Sequence, residues 1–121
     1  MKDTGRIKME SYNGILYCDA YMKDDFSLDD LNSMRDEIRE NYASNTDVIL
    51  KKSASYSVSV EAQMTLFDNI PEFRHFVYVV DNEARKGSAE YAAVTYMMPY
   101  KTQVVETKEA AYAALVEIQA Q

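Results

Sequence analysis

The first two segments of the chain have the apolar and polar pattern of β-strands, and a turn signal separates them. Residues 6–10 alternate polar and apolar positions, and residues 15–21 form a second strand-like run. Asn13-Gly14 lies between them, and this dipeptide is the strongest short signal for a β-hairpin. The chain is therefore predicted to begin with two antiparallel strands.

Apolar residues then recur at helical spacing. Ser27 precedes Asp29 and Asp30, which is typical of a helix start, because the serine caps the first amides and the acids face the positive end of the helix dipole. The buried stripe of this helix is predicted to comprise Leu31, Met34, Ile38 and Tyr42. A shorter helix that ends at Pro71 is predicted from Val60, Met64 and Phe67, with Leu66 or Ile70.

Three further segments are predicted strands: residues 48–50, 76–80 and 102–106. The middle one is an unbroken β-branched and aromatic run, as expected of a strand that is buried on both faces. Side chains alternate along a strand, so two sets should face opposite sides of the sheet, Val77 and Val79 on one and Phe76, Tyr78 and Val80 on the other.

Two helices complete the pattern. Asn82 can cap a helix over residues 83–98, and Thr107 can cap the last one. The inward residues of the last helix are predicted to be Ala110, Ala111, Ala114, Leu115 and Ile118. On the third helix, we expect one stripe to lie on the sheet, comprising Ala84, Gly87, Ser88, Tyr91, Val94, Thr95 and Met98.

After the hairpin, helices and strands alternate strictly, and right-handed crossovers turn such an order into a mostly parallel sheet with helices packed on it. A chain of 121 residues suits one domain with one core. We therefore predict a single α/β domain over residues 1–121. It should have a five-stranded, mostly parallel sheet, an N-terminal antiparallel hairpin and about four helices.

The composition of the chain indicates its cellular compartment. Cys18 is the only cysteine, so an internal disulfide is excluded and a reducing compartment fits. No apolar run reaches transmembrane length, and the first residues lack the apolar core of a signal peptide. These features predict a cytoplasmic protein with no membrane span.

The negative charge is concentrated in one segment. The net charge is −7, and residues 19–42 carry eight acids against three bases. Nucleic acids and anionic membranes repel such a surface, and no compensating basic stripe appears. The acidic segment is either a solvated helix face or a docking surface for a basic partner.

The order of elements resembles the STAS fold of anti-sigma-factor antagonists, and especially the SpoIIAA-like group of small uncharacterised bacterial proteins. Three matches carry the resemblance, which covers nearly the whole chain: Ser-Val-Ser-Val-Glu-Ala at 57–62 after strand 48–50, the strand 76–82 with its long helix, and the strand–cap–helix ending at 102–111. The resemblance implies a bacterial, non-enzymatic binding or regulatory module that acts through protein–protein interaction.

One local pattern departs from the antagonists, which carry an Asp-Ser-Ser-Gly-like turn with a phosphorylated serine. Residues 59–62 read Ser-Val-Glu-Ala here, with Val60 or Glu61 at the acceptor position and no glycine. The SpoIIAA-like group is also likened to lipid-transfer folds of the CRAL-TRIO type. That likeness supplies the alternative function, a carrier or sensor for a small apolar or lipid-like ligand.

Catalytic and metal signatures are weak. His75 and Cys18 have no paired ligand spacing, and the acidic pairs lack a calcium-loop pattern. Neither a Gly-x-Ser-x-Gly turn nor a glycine-rich phosphate loop is present. We therefore predict no metal, no cofactor and no enzymatic activity.

Two groups of residues remain as candidate sites. Ser57 and Ser59 precede a helix N-terminus, where an anion or an added phosphate would be stabilised, although plain capping is the predicted role. The third helix is apolar on both sides near its end, which predicts a second neighbour: the last helix, a second copy in a homodimer, or an apolar ligand. The residues of that candidate surface are Ala89, Ala93, Tyr96, Met97 and Tyr100.

Overall fold

A computed structural model describes residues 1–42, 44–100 and 102–119. Six strands form one sheet in the order β1 to β6, so each strand pairs with its neighbours in sequence. The strands are β1 Lys2–Asp3, β2 Ile7–Tyr12, β3 Ile15–Ala20, β4 Thr46–Lys52, β5 Phe73–Val79 and β6 Gln103–Val105. The helices are α1 Leu28–Asn41, α2 Val60–Phe67, α3 Glu83–Ala93 and α4 Lys108–Gln119, with a 3₁₀ turn at Met98–Tyr100.

The predicted hairpin is confirmed as β2 and β3, which pair antiparallel from Ile7 opposite Ala20 to Tyr12 opposite Ile15. Asn13 and Gly14 both have positive φ, 51° and 80°. Two left-handed residues give a two-residue turn the twist that matches its strands, and asparagine and glycine tolerate that conformation best.

The rest of the sheet is parallel, from β3 to β6. Because crossovers are right-handed, strands laid down in sequence order place every intervening helix on the same face. Buried residues of α1, α2 and α3 accordingly share one core cluster. The last helix, α4, packs on the opposite face, where Ala111 and Leu115 meet Ile49, Val77 and Val79.

The mostly parallel α/β fold is therefore confirmed, and so are several local predictions. Side chains of β5 alternate as expected, with Val77 and Val79 on the α4 face and Phe76, Tyr78 and Val80 on the other. Ser27 and Asp30 form a reciprocal capping box at the start of α1. Thr107 Oγ1 accepts the amide of Ala110 at 3.0 Å.

The number of strands and the end of the third helix differ from the prediction. The sheet has six strands within the described residues, because the two-residue β1 pairs with β2 and was not predicted. The third helix ends at Ala93 rather than residue 98. Thr95 Oγ1 bonds back to the carbonyl of Tyr91 at 2.6 Å, and Pro99 lies in the 3₁₀ turn; both residue types disfavour continuation of an α-helix.

The predicted face of α3 was also wrong. Ala89 and Ala92 are buried, whereas Tyr91, Val94 and Met98, which were expected to lie on the sheet, are exposed. Small residues let this helix lie close to the sheet, and the larger apolar side chains point outward. The shorter helix behaves likewise: Ala62 and Leu66 of α2 are buried, but Val60, Met64 and Phe67 are exposed.

Within the described residues, no helix is both long and apolar enough to cross a membrane.

Candidate functional site

Three buried acids of the described residues have basic partners. Asp30 meets Arg6 at 2.8 Å, and Glu72 meets Arg35 at 2.6 Å. Asp47 accepts from Arg74 through both carboxylate oxygens, at 2.9 and 3.2 Å. Charges that leave water are stable only when they are paired and hydrogen-bonded, so these three acids are explained by structure alone.

Among the buried charged residues that the structure describes, Lys52 is the one without an oppositely charged partner. It ends β4 and is only 4 % exposed. Its Nζ donates to the backbone carbonyl of Tyr56 at 3.0 Å and lies 3.6 Å from the centre of the Tyr56 ring. Burial, and to a lesser degree the positive charge of Arg85, lower the pKa of Lys52 to about 8. No residue in the described ranges forms a salt bridge with it.

Lys52 lines a cavity between the sheet and the helices α1, α2 and α3. The free volume is about 30 Å³, enough for one or two waters. Its walls are mainly aromatic and apolar, and we call it the aromatic cavity; the residues that define it are Phe26, Tyr56, Phe76, Tyr78, Tyr96 and Met97. A positively charged group thus faces a mostly apolar space.

A second polar group in the aromatic cavity lacks a partner. The hydroxyl of Tyr56 is buried and makes no hydrogen bond with the described residues. Burial raises the pKa of Tyr56, and it raises the pKa of Tyr96 to about 12, so both phenols keep their protons at neutral pH. Leaving a buried hydroxyl unpaired costs free energy, and such a group calls for an explanation.

A shallow groove lies on the surface beside the cavity, between α2 and the end of α3. We call it the apolar groove, and its apolar walls are Met64, Phe67, Tyr96 and Met98. Met64, Phe67 and Met98 are 65, 61 and 63 % exposed. Tyr96 lines both the groove and the aromatic cavity.

Of the two candidate serines, Ser59 is the N-cap of α2 and accepts the amide of Ala62 at 3.2 Å. Ser57 is exposed, and its carbonyl accepts the amide of Phe26 at 2.7 Å. The predicted capping is therefore confirmed for Ser59.

The candidate apolar residues fall into three settings. Ala89, Tyr96 and Met97 line the aromatic cavity. Met97 and Tyr100, which were predicted to contact a neighbour or an apolar ligand, are fully buried, so neither side chain is exposed for contact with a second copy. The Tyr100 hydroxyl accepts a hydrogen bond from the amide of Ile70 at 2.9 Å and donates one to the carbonyl of Leu66. Tyr100 therefore links the 3₁₀ turn to α2 and to the segment that follows α2. Ala93 is half-buried beside them.

Sequence reasoning missed Lys52 and Tyr56. The signal was the alternation of β4: Lys52 stands two and four residues after Leu50 and Val48, whose side chains enter the α1–α3 core. A lysine on the core-facing side of a strand lies either beyond the strand end or in the core. The predicted strand, residues 48–50, ended before Lys52 and therefore did not show that this residue is buried. No cluster of metal-binding side chains occurs among the residues that the structure describes.

Comparison with known proteins identifies the fold. No protein-family profile matches the chain, and no curated protein matches it either. Among solved structures, it is similar to an uncharacterised protein of the DUF3478 family with a SpoIIAA-like fold from Shewanella loihica PV-4. The alignment covers 90 % of this chain and 91 % of that one, with a TM-score of 0.58 and 16 % identity. The chain therefore has the SpoIIAA-like fold.

Proposed function

We propose that this protein is a non-enzymatic binding module of the bacterial cytoplasm that acts through protein–protein interaction at the apolar groove. The observation that carries the proposal is the outward apolar side chains of α2 and of the segment after α3. Met64, Phe67 and Met98 are each more than half exposed and line one groove. Contiguous exposed apolar surface on a small protein marks an interaction site.

The chemistry of the groove suits a protein partner. Aromatic residues and methionine are enriched in interfaces, and methionine adapts its shape to irregular apolar surfaces. Gln63, Asp68 and Thr95 complete the lining, which gives the apolar centre a polar border. Val60 on α2, Tyr91 on α3 and Val94 directly after α3 are also exposed.

Capture with a matched control tests this proposal. The double variant Phe67→Ser with Met98→Ser removes two of the four apolar walls of the groove, and Val116→Ser removes an exposed apolar residue from α4 on the opposite face of the sheet. Wild type and the control should retain the same protein from the native cells, and the groove variant should lose it. Direct binding of that purified partner must then repeat the pattern; equal binding to all three contradicts the proposal.

Light scattering on the same three proteins tests whether the partner is a second copy, as in the homodimer predicted from the sequence. A homodimer through the groove would separate into monomers in the double variant alone. Retention of a dimer by the double variant would place the contact elsewhere.

The aromatic cavity favours a second candidate function, a carrier or sensor for a small apolar ligand. Its free volume of about 30 Å³ is far below that of a lipid chain, so a bound ligand would be small or would widen the cavity. Native mass spectrometry of freshly purified protein tests this function through the mass of a retained ligand.

A further inference from the structure

We propose that the aromatic cavity binds a small apolar carboxylate, whose charged group is held by the Lys52 amine and the Tyr56 hydroxyl. The proposal deepens the carrier function by naming a ligand class. It rests on two independent observations at the same cavity: among the described residues, the buried Lys52 has no counter-ion and the buried hydroxyl of Tyr56 has no hydrogen-bond partner.

The lysine needs an acceptor. A lysine ammonium has three donor hydrogens, and the Nζ of Lys52 makes one hydrogen bond to a side chain or backbone of the described residues, to the Tyr56 carbonyl. Contact with the Tyr56 ring stabilises the charge in part. Arg85 adds a second positive charge nearby, and it has no salt bridge with the described chain either. An anion would complete this arrangement.

The walls of the cavity define the rest of the ligand. Aromatic and apolar side chains surround the two donors, which favours an apolar body with a single charged group. A carboxylate offers two oxygens, one for the amine and one for the phenol. A phosphate dianion would cost more to desolvate, and within the cavity lining Lys52 is the sole cation.

Lys52 fixes where the charged end of the ligand would lie. It stands at the carboxyl end of β4, so the charged group would lie at that end of the strand and the apolar body between the sheet and the helices. Tyr96 separates the aromatic cavity from the apolar groove, since its side chain lines both. Rotation of this ring would join the two spaces and admit a ligand larger than the present free volume.

Isothermal titration with matched pairs tests the proposal. Benzoate and hexanoate are compared with benzamide and hexanol, which keep the apolar body and lose the charge. Wild type should bind each carboxylate at least about tenfold more tightly than its neutral analogue, because a charge-assisted hydrogen bond is stronger than a neutral one.

Three variants locate the binding. Lys52→Met should lose about tenfold or more in carboxylate affinity, and Tyr56→Phe about fivefold, the effect of one hydrogen bond. Lys51→Met is the matched control, since Lys51 is adjacent in β4 but alternates to the other face of the sheet, and it should bind as wild type does. A folded Lys52→Met protein with unchanged carboxylate affinity would overturn the assignment.

The outcomes separate the ligand class from the carrier function. Equal affinity for carboxylates and neutral analogues would refute the carboxylate and leave a carrier of apolar molecules. Absence of binding by both series at millimolar concentration would refute the site and the carrier together. Neither result depends on the protein partner of the apolar groove.

Discussion

The strand β4 has a buried charge at each end, and the two charges have opposite surroundings. Near its start, Asp47 is fully buried and meets Arg74, His75 and Gln119. At its end, Lys52 meets one carbonyl and one aromatic ring. Asp47 faces α4, and Lys52 follows the parity of Val48 and Leu50 toward α1–α3.

The difference appears in the two pKa values. Burial raises the pKa of Asp47, but the hydrogen bonds from Arg74, Gln119 and His75 outweigh burial and hold it below its ordinary value. At Lys52 no carboxylate of the described residues opposes burial, and the charge of Arg85 adds to its effect, so the pKa falls to about 8. A buried charge with a complete set of partners is part of the scaffold. A buried charge that lacks partners beside a cavity is a candidate for function.

The largest expected effect comes from the introduction of an acid that has no partners on the face of the sheet where Asp47 lies. Val79 is buried among the residues that meet α4. Val79→Asp should lower the free energy of unfolding by about 3–5 kcal/mol, because an unpaired charge or its protonated form would be buried there. Urea denaturation measures it, with Val79→Ala as the control for lost volume. Equal stability of Val79→Asp and Val79→Ala would show that partners are not what makes Asp47 tolerable.

The second effect comes from removal of the Asp47 charge. Asp47→Asn should lower the free energy of unfolding by about 2–3 kcal/mol at pH 7. This value is at or below the low end for the loss of one partner of a buried ion pair, because Arg74 is 48 % exposed and water can solvate its charge. Since the folded-state pKa of Asp47 lies below its ordinary value of 3.8, its stabilisation is present above that value and lost as pH falls through the folded pKa. The stability difference between wild type and Asp47→Asn should therefore shrink below about pH 4.

The third effect has the opposite sign. Lys52→Met should raise the free energy of unfolding by about 1–2 kcal/mol at pH 7, because an apolar side chain of similar length replaces a charge that has no counter-ion. The folded pKa is about 8 and the ordinary value is 10.5, so the unfolded chain binds more protons between them. Wild-type stability should therefore rise with pH across this window, and the advantage of the variant should fade. A variant that is less stable than wild type at pH 7 would mean that the contact with Tyr56 outweighs desolvation.

The sequence predicted those parts of the fold that depend on neighbouring residues. The Asn13-Gly14 turn, the Ser27 cap of α1 and the alternation of β5 follow from local geometry, and all three were confirmed. The faces of α2 and α3 depend on distance to the sheet instead. Both helices carry two apolar stripes, and the stripe that faces the core includes the small residues Ala62, Ala89 and Ala92.

The candidate site was harder to predict for the same reason. Tyr96 and Met97 were identified from an excess of apolar residues, and they do line the aromatic cavity. Lys52 and Tyr56 reach that cavity through the length of β4 and the path of the loop after it. The charge of a lysine favours solvent even at a core-facing position, and only the packed structure shows that this one is buried.

The smallest expected effect comes from the removal of one of the three side chains that hydrogen-bond to Asp47. His75 Nδ1 lies 2.8 Å from Asp47 Oδ1, and His75→Phe keeps a ring while it removes this hydrogen bond. Arg74 and Gln119 still satisfy the carboxylate, so the cost should be about 1 kcal/mol or less. The double variant with Asp47→Asn completes a thermodynamic cycle. If the partners are redundant, the coupling energy of His75 with Asp47 will be small beside the cost of Asp47→Asn. A coupling energy as large as that cost would make His75 the principal partner of Asp47, and Asp47 would then depend on one residue, as Lys52 depends on Tyr56.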